Sequence, residues 1–187
     1  MTQFVSRVIS VARRQSLNYF GRQGFHLSSK NMVIAVGDQL PAIDLYEDAP
    51  SNKVNIAEVA AGQKIIIFGV PGAFTPGCSK THLPGYITRA EELKEKGISS
   101  IFCVSINDPF VMAAWGKHQG ADGKVRMLAD TNGDFTKALD VEVDLAVLGG
   151  TRSKRYSMVV DNGTIKELNI EPDNTGLSCS LADRINA

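Results

Sequence analysis

Cys78 has the surroundings of a reactive thiol. It follows a loop-like run of Pro and Gly residues, Pro71-Gly72-Ala73-Phe74-Thr75-Pro76-Gly77, and it stands where a helix is expected to begin. The free backbone N–H groups of a first helical turn stabilise an anion, and so favour a thiolate. Thr75 can hydrogen-bond the sulfur or an attacking oxygen. The pattern predicts a nucleophile or a redox centre rather than a buried structural cysteine, because a Pro- and Gly-rich loop is a poor core environment.

Two other groups of residues offer competing chemistry. His82 follows Cys78 by one helical turn, which would allow a Cys–His pair or a metal site; a histidine on the helix surface or one supporting the site is the favoured interpretation. The run Asp130-Thr131-Asn132-Gly133-Asp134 resembles part of a calcium loop but has no Glu in the final position, so a capped strand-to-helix turn explains it better. No four-ligand zinc spacing and no phosphate-binding Gly motif occurs, so we expect no metal and no cofactor.

The chain must position Cys78 through alternating strands and helices. The apolar run 65–68 predicts a buried strand before the loop, and a helix is expected from about 76–78 to Gly97 with a kink at Pro84. Further along, the patterns predict strands at 100–106 and 125–128, helices at 109–118 and 134–139, a hairpin of 156–160 with 164–170 around Asp161-Asn162-Gly163, and a short helix at 180–185. This order indicates an α/β fold with a mixed central sheet flanked by helices.

Composition excludes several classes of protein. The 187 residues are 43% hydrophobic and 21% charged, which suits one globular domain and excludes a fibrous or wholly disordered chain. No apolar run approaches the roughly 18 residues of a membrane span. Residues 31–187 carry a net charge of −5, so bulk electrostatics disfavour nucleic-acid binding. Three cysteines do not make a disulfide scaffold.

The first 30 residues have the composition of an organellar targeting segment. They contain five basic and no acidic residues, with Arg13 and Arg14 interrupting any apolar centre that a secretory signal would need. The alternative is a disordered basic tail. We expect import into the mitochondrial matrix, cleavage near residues 25–32 and a domain over 31–187, while Met32 offers a start for an unimported, cytoplasmic form.

Four segments resemble one known family. Pro71-x-x-x-Thr75-x-x-Cys78 matches the peroxidatic motif of peroxiredoxins, and the longer stretch 69–85 is similar to the atypical two-cysteine, peroxiredoxin-5 type. The similarity continues through Ser105-Ile106-Asn107-Asp108, Lys154-Arg155-Tyr156-Ser157-Met158-Val159-Val160 and Gly176-Leu177-Ser178-Cys179-Ser180-Leu181. It therefore covers essentially all of 33–185.

The resemblance implies a thioredoxin-like fold and a role for each matched residue. It makes Cys78 the peroxidatic cysteine, Thr75 its hydrogen-bonding partner, Arg155 the catalytic arginine, Pro71 the residue that shields the sulfur and Cys179 the resolving cysteine. It implies reduction of hydrogen peroxide, organic hydroperoxides and peroxynitrite, an intramolecular disulfide, thioredoxin as the reductant, and a monomer or homodimer. From charge alone Arg155 could equally belong to a solvated basic loop with Arg152 and Lys154, which we take as surface charges.

Two questions stay open at the level of sequence. Cys103 lies in an apolar strand and is expected to be a structural residue, although a bond to Cys78 or Cys179 is not excluded by spacing. A thiol–disulfide oxidoreductase would normally need a C-x-x-C pair, which the chain lacks, whereas a redox sensor would use the same cysteines as a peroxidase.

Overall fold

The computed structural model of the protein describes residues 34–186. The predicted targeting segment, residues 1–30, lies outside the described residues, so that prediction and the domain boundary at residue 31 stay predictions. Within the described part, no helix combines the length and the apolar character needed to cross a membrane.

A seven-stranded mixed sheet forms the centre of the molecule, in the order β2-β1-β5-β4-β3-β8-β9. Its strands are β1 (Asp44–Glu47), β2 (Lys53–Asn55), β3 (Lys64–Gly69), β4 (Ser100–Ser105), β5 (Arg126–Ala129), β8 (Tyr156–Asp161) and β9 (Thr164–Ile170). The inner strands β3, β4 and β5 are parallel, whereas β8 runs antiparallel to β3. A separate antiparallel pair, β6 (Glu142–Leu145) and β7 (Gly150–Ser153), was not expected from the sequence.

Side chains of the sheet alternate between two cores. Along β3, Ile66 and Phe68 face one cluster and Ile65 and Ile67 face the other, and all four are fully buried. This is the two-residue period of a strand covered on both faces, which explains why β3 reads as a continuous apolar run. Cys78 and Cys103 belong to the same cluster as Ile66, so both thiols lie on one side of the sheet.

Within residues 34–186, four α-helices connect the strands. They are α1 (Ile56–Ala60), α2 (Leu83–Glu95), α3 (Pro109–Gln119) and α4 (Asp134–Ala138). Asp108 caps α3, because its carboxylate accepts a hydrogen bond from Val111 N at 2.9 Å, and Pro109 occupies the first position as predicted. The Asp130 carboxylate accepts hydrogen bonds from the amides of Phe135 and Thr136 in α4, so this segment is a capped turn.

The carboxyl-terminal segment differs partly from expectation. The hairpin of β8 and β9 is confirmed, and Asn162 and Gly163 both have positive φ, 48° and 75°, as a tight hairpin turn requires. The helix predicted over 180–185 is wrong in extent: only a 3₁₀ turn, Ala182–Arg184, forms. Ser180 cannot begin a helix because its amide, hydroxyl and carbonyl groups are all engaged in contacts with other parts of the fold.

Candidate active site

The thiol of Cys78 lies just beyond the carboxyl end of β3. The chain leaves β3, passes through the loop that begins at Pro71, and becomes helical from Pro76, so Cys78 occupies the first helical turn as predicted. The residue is fully buried, contrary to the expectation that this loop is a poor core environment. Its neighbour Ser79 accepts a hydrogen bond from Trp115 Nε1 at 3.1 Å, which fixes the turn against α3.

The helix that carries Cys78 begins with a widened turn. Residues Cys78–His82 form a π-helical turn, closed by a hydrogen bond from Leu83 N to Cys78 O, before α2 continues. Pro84 has no N–H to donate, and its ring would clash with the carbonyl four residues earlier in a regular α-helix. The kink predicted at Pro84 stays a prediction; what the structure shows directly before this residue is a π turn at the candidate site.

Arg155 is brought to Cys78 by the pairing of β3 with β8. Gly69 pairs with Tyr156, so Arg155 stands one residue beyond the end of β3. Its Nη1 atom lies 3.3 Å from Cys78 Sγ, and its Nε atom donates to Thr175 O at 3.1 Å. Arg155 is only 3% exposed, which excludes a solvated basic loop. A guanidinium buried against a sulfur supplies positive charge and directed donors where an anion would form.

His82 contacts the same nitrogen of this arginine and helps to orient it. Its Nδ1 lies 3.2 Å from Arg155 Nη1, and its Nε2 lies 3.0 Å from Ser180 O. Burial, followed by the positive charge of Arg155, lowers the pKa of His82 to about 3. The ring is therefore neutral at pH 7, and it can accept from Arg155 at one nitrogen while donating to Ser180 at the other. His82 is a buried supporting residue and not a helix-surface histidine.

Thr75 and Pro71 lie in the loop before Cys78. The Thr75 hydroxyl donates to Gly72 O at 2.9 Å, so its proton is directed at the loop backbone rather than at the sulfur. That leaves the lone pairs of the Thr75 oxygen available to accept a hydrogen bond from a ligand. Pro71 is buried at the start of the loop.

The other two cysteines have different surroundings. Cys179 is half-buried in the segment after β9, and its Sγ donates to Ile170 O at 3.4 Å. Cys103 is fully buried in β4, as expected of a structural residue, and burial followed by the charge of Cys78 raises the pKa of its thiol. All three thiols are free, so Cys78 and Cys179 are not bridged.

The chain matches proteins of known family along almost all of its described length. The Redoxin family model matches residues 35–184. The chain is 45% identical over 161 residues to peroxiredoxin-2E, chloroplastic, of Arabidopsis thaliana, covering 82% of this chain and 69% of that protein. It is 48% identical to peroxiredoxin 5 from Alvinella pompejana, with a TM-score of 0.70 over 78% of this chain and 95% of that one.

The chain belongs to the peroxiredoxin family, in its atypical, Prx5-like type. Reduced Prx3 from Vibrio vulnificus, crystallised in complex with hydrogen peroxide, shares 47% identity and a TM-score of 0.76, covering 81% of this chain and 96% of that one. The thioredoxin-like fold with a mixed sheet flanked by helices is thereby confirmed. The protein is therefore a thiol-dependent peroxidase, an oxidoreductase with an antioxidant role.

Some residues of the site escaped the sequence analysis. Arg152 was expected to be a surface charge, but it is half-buried and its Nη1 donates to Ile106 O at 2.7 Å, which secures the segment after β4. In that segment Asn107 Oδ1 accepts from Ala73 N at 3.0 Å and so supports the Cys78 loop. No sequence pattern identified Glu171, which is only 1% exposed and accepts a hydrogen bond from Cys179 N in the segment Ser178-Cys179-Ser180, hereafter the Cys179 segment. A glutamate directly before the polar turn 172–176 carries no sequence signal that distinguishes a buried carboxylate from a solvated one.

Proposed function

We propose that this peroxiredoxin uses Cys78 as its peroxidatic cysteine and Cys179 as its resolving cysteine, and that thioredoxin recycles the disulfide. The observation that carries the proposal is the 3.3 Å separation of Arg155 Nη1 and Cys78 Sγ in a buried site. The guanidinium stabilises an anionic sulfur there and orients a peroxide beside it.

The first chemical step transfers two electrons from sulfur to the peroxide. The Cys78 thiolate attacks one oxygen of ROOH, an S–O bond forms and the O–O bond breaks. The leaving oxygen takes up a proton and departs as ROH, and Cys78 becomes a sulfenic acid. Arg155 and the helical N–H groups favour this step because negative charge moves from sulfur onto the oxygens. Thr75 Oγ1 can accept a hydrogen bond from the peroxide O–H, since its own hydroxyl hydrogen is directed at Gly72 O.

The second step removes the sulfenic acid before a further peroxide can oxidise it irreversibly. Cys179 supplies the thiol, and a dithiol reductant then reopens the bridge. The reductant we propose is thioredoxin, and the substrates are hydrogen peroxide, organic hydroperoxides and peroxynitrite. The partially exposed Cys179 suits attack by an external dithiol better than the fully buried Cys78 does.

Three cysteine variants test these assignments. Cys78→Ser should abolish peroxide consumption, and Cys179→Ser should consume one equivalent of peroxide and then stop under thioredoxin recycling. Cys103→Ser is the matched control and should sustain turnover. A redox sensor would be oxidised once and would show no sustained consumption even in the unmodified protein. Full turnover by Cys179→Ser would remove the resolving role from that residue.

We also propose that the basic segment 1–30 directs import into the mitochondrial matrix. Its support is the acid-free, Arg-rich composition, and two related proteins, from Arabidopsis thaliana and Oryza sativa subsp. japonica, are described as chloroplastic. Mass spectrometry of the protein from purified organelles tests this: a new amino terminus near residues 25–32 in mitochondria supports it. An intact Met1 there, or accumulation in plastids, contradicts it.

A further inference from the structure

A buried carboxylate holds the segment that carries Cys179. Glu171 directly follows β9, and its Oε1 accepts hydrogen bonds from three successive amides: Ser178 N at 2.8 Å, Cys179 N at 2.9 Å and Ser180 N at 2.9 Å. The hydroxyls of Ser178 and Ser180 donate to the same carboxylate at 2.6 and 2.7 Å. Glu171 takes part in no ion pair among residues 34–186, so these five donors are what compensates its burial.

The backbone of Glu171 is hydrogen-bonded to the backbone of Arg155, the arginine of the candidate active site. Glu171 N donates to Arg155 O at 3.0 Å, and Arg155 N donates to Asn174 O at 2.7 Å. One residue therefore contacts the backbone of Arg155 through its own main chain and the Cys179 segment through its side chain. The Glu171 carboxylate makes no hydrogen bond to the guanidinium itself; the two are linked through Ser180, whose carbonyl contacts His82.

The same segment has a second attachment to the helix that carries Cys78. Ser180 O accepts from Tyr86 Oη at 2.8 Å and lies 3.0 Å from His82 Nε2. Cys179 thus lies between Ser178, which is held by Glu171, and Ser180, which is held both by Glu171 and by the helix that carries Cys78. Its sulfur contacts Ile170 O, and it must leave that contact before it can bond to Cys78.

We propose that Glu171 is a positioning residue for the resolving step: its carboxylate retains the Cys179 segment beside β9 and limits the rate at which Cys179 reaches oxidised Cys78. This inference rests on the proposed function. Hydrogen bonds to an ionised acceptor are about twice as strong as neutral ones, so the charge on Glu171 determines how readily the three amides are released.

The chemistry of the step also depends on that charge. The Cys179 sulfur attacks the Cys78 sulfenic sulfur, the S–S bond forms as the S–O bond breaks, and the oxygen leaves as water with the Cys179 proton. Cys179 is oxidised and Cys78 is reduced, so no further reagent is needed. Burial, and then the negative charge of Glu171, raise the pKa of the Cys179 thiol, which opposes formation of the attacking thiolate. A neutral side chain at 171 removes the negative charge and weakens the hydrogen bonds to the three amides, while the burial of Cys179 stays the same.

Other charged groups surround this segment and are unchanged by a substitution at 171. Lys166, Glu167 and Arg184 line the same surface depression as Cys179, while Asp173 accepts from Thr175 N and Gly176 N at 3.2 and 2.6 Å. The titratable groups on the elements packed against the segment include Arg155, His82 and Tyr86, together with Arg89, which donates to Ala182 O, and Asp183 of the 3₁₀ turn. Because Asp173 holds the 174–176 turn independently, the contacts of Arg155 to that turn should survive the loss of the Glu171 charge.

The test compares Glu171→Gln with Glu167→Gln in the full chain. Each protein is mixed with one equivalent of hydrogen peroxide, quenched with acid, alkylated and analysed by mass spectrometry for sulfenic acid and disulfide over time. Glu171→Gln should form the disulfide about tenfold faster at pH 7, since several charge-assisted hydrogen bonds become neutral. The pH profile of this step should move to lower pH, and Cys78 oxidation should keep its rate.

The control carboxylate, Glu167, lies in β9, four residues before Glu171, and has other partners. Glu167 accepts from Asn169 Nδ2 and from Asn186 N, and it contacts none of the three amides that Glu171 holds. Glu167→Gln should therefore resolve at the unmodified rate. Disulfide formation by Glu171→Gln at or below that rate, with an unchanged pH profile, would show that Glu171 has a structural role only and would overturn the inference.

A second measurement applies if Glu171→Gln folds poorly. Amide hydrogen exchange of the unmodified, reduced full chain is compared at pH 5 and pH 3, after correction for intrinsic exchange. The amides of Ser178, Cys179 and Ser180 should lose more protection at pH 3 than the amides of β3, which report the general destabilisation caused by protonation of His82. An equal loss of protection in both sets would overturn the inference. Failure of the proposed function looks different, because sustained turnover by Cys179→Ser would remove the resolving step itself.

Discussion

Arg155 Nη1 lies 3.3 Å from Cys78 Sγ, and both residues are almost completely buried. Burial strengthens this interaction because little water screens it. The same nitrogen lies 3.2 Å from His82 Nδ1, so the guanidinium is held by a neutral histidine and faces the sulfur. An arginine fixed in this way needs little reorganisation when charge moves from sulfur to a peroxide oxygen.

Replacement of Arg155 by lysine should slow the first chemical step. Lysine keeps the positive charge but lacks the planar guanidinium, whose Nε donates to Thr175 O while its Nη1 faces the sulfur. The ammonium group of lysine would therefore not be held in a fixed direction towards Cys78 Sγ. We expect oxidation of Cys78 by hydrogen peroxide to be about 100-fold slower, the effect typical of losing one preorganised donor. Stopped-flow kinetics gives the second-order rate. Arg184→Lys, an exposed control, should react normally; an equal rate for both variants would contradict the role of Arg155.

The pKa of His82 predicts an acid-sensitive fold. His82 titrates at 6.5 when unperturbed and at about 3 when buried, so below pH 6.5 the unfolded chain binds the extra proton. The stability that neutral, buried His82 contributes is therefore fully present above pH 6.5. It falls as pH decreases towards 3, with a slope of up to roughly 1.4 kcal/mol per pH unit, because unfolding takes up one proton. Burial raises the pKa of Glu171, but hydrogen bonds from Ser178 and Ser180 outweigh it and lower it from 4.5 to about 2. The stability that ionised Glu171 contributes is therefore complete above about pH 4.5, and it is lost only as pH falls from there towards 2.

The window between pH 6.5 and 4.5 isolates the contribution of His82. His82→Asn should be less stable than the unmodified protein at pH 7, because buried hydrogen bonds weaken, and its stability should depend less on pH in this window. Urea denaturation at several pH values measures both effects. His118 is exposed, so His118→Asn should retain the full dependence on pH. If His82→Asn keeps the same slope, a different group binds the proton.

Trp115 should report the oxidation of Cys78. It is the only tryptophan of the chain, it is fully buried, and its Nε1 donates to Ser79 Oγ next to the thiol. A change at Cys78 that moves the π turn will alter this hydrogen bond and the environment of the indole. We expect a fluorescence change at the rate of Cys78 oxidation. It should be absent in Cys78→Ser and smaller in Ser79→Ala; a signal that persists in Cys78→Ser would assign it to another process.

The sequence predicted the parts of the fold that depend on local pattern. The buried strand β3, the capped helix α3 and the hairpin of β8 and β9 were all expected, because an apolar run, an Asp-Pro start and an Asn-Gly turn act over a few residues. The pair β6 and β7 was missed because it contains no buried apolar residue: β6 has only exposed and half-buried positions, and the one buried residue of β7, Ser153, is polar. Short strands without buried apolar residues give a weak signal in the sequence.

The sequence could predict only those parts of the candidate site that a local motif specifies. Cys78 could be placed in a first helical turn from the loop before it, whereas the neighbours of Arg155 depend on strand pairing across the sheet. His82 and Glu171 act through contacts with residues about 98 and 8 positions away, which no local pattern encodes. The sequence therefore indicated the reacting atoms but not the groups that hold them.

Gly69→Ala should disturb both stability and the site. A Cβ at Gly69 would lie 2.1 Å from Tyr156 Cε1, which is far inside van der Waals contact, and Tyr156 is fully buried with little room to move. We expect a loss of roughly 3 kcal/mol of unfolding free energy, at the upper end for overpacking a core. Because Tyr156 follows Arg155 directly, Cys78 oxidation should also slow.

Gly85→Ala is the matched control because it should act in the opposite direction. A Cβ at Gly85 would meet only Ala182 Cβ at 3.8 Å, an ordinary contact, and alanine is preferred to glycine in a helix by about 0.5–1 kcal/mol. Urea denaturation of both variants therefore separates a general effect of Gly→Ala from the clash at the end of β3. Equal stability of Gly69→Ala and the unmodified protein would mean that Tyr156 can repack, and Arg155 would then keep its place beside Cys78.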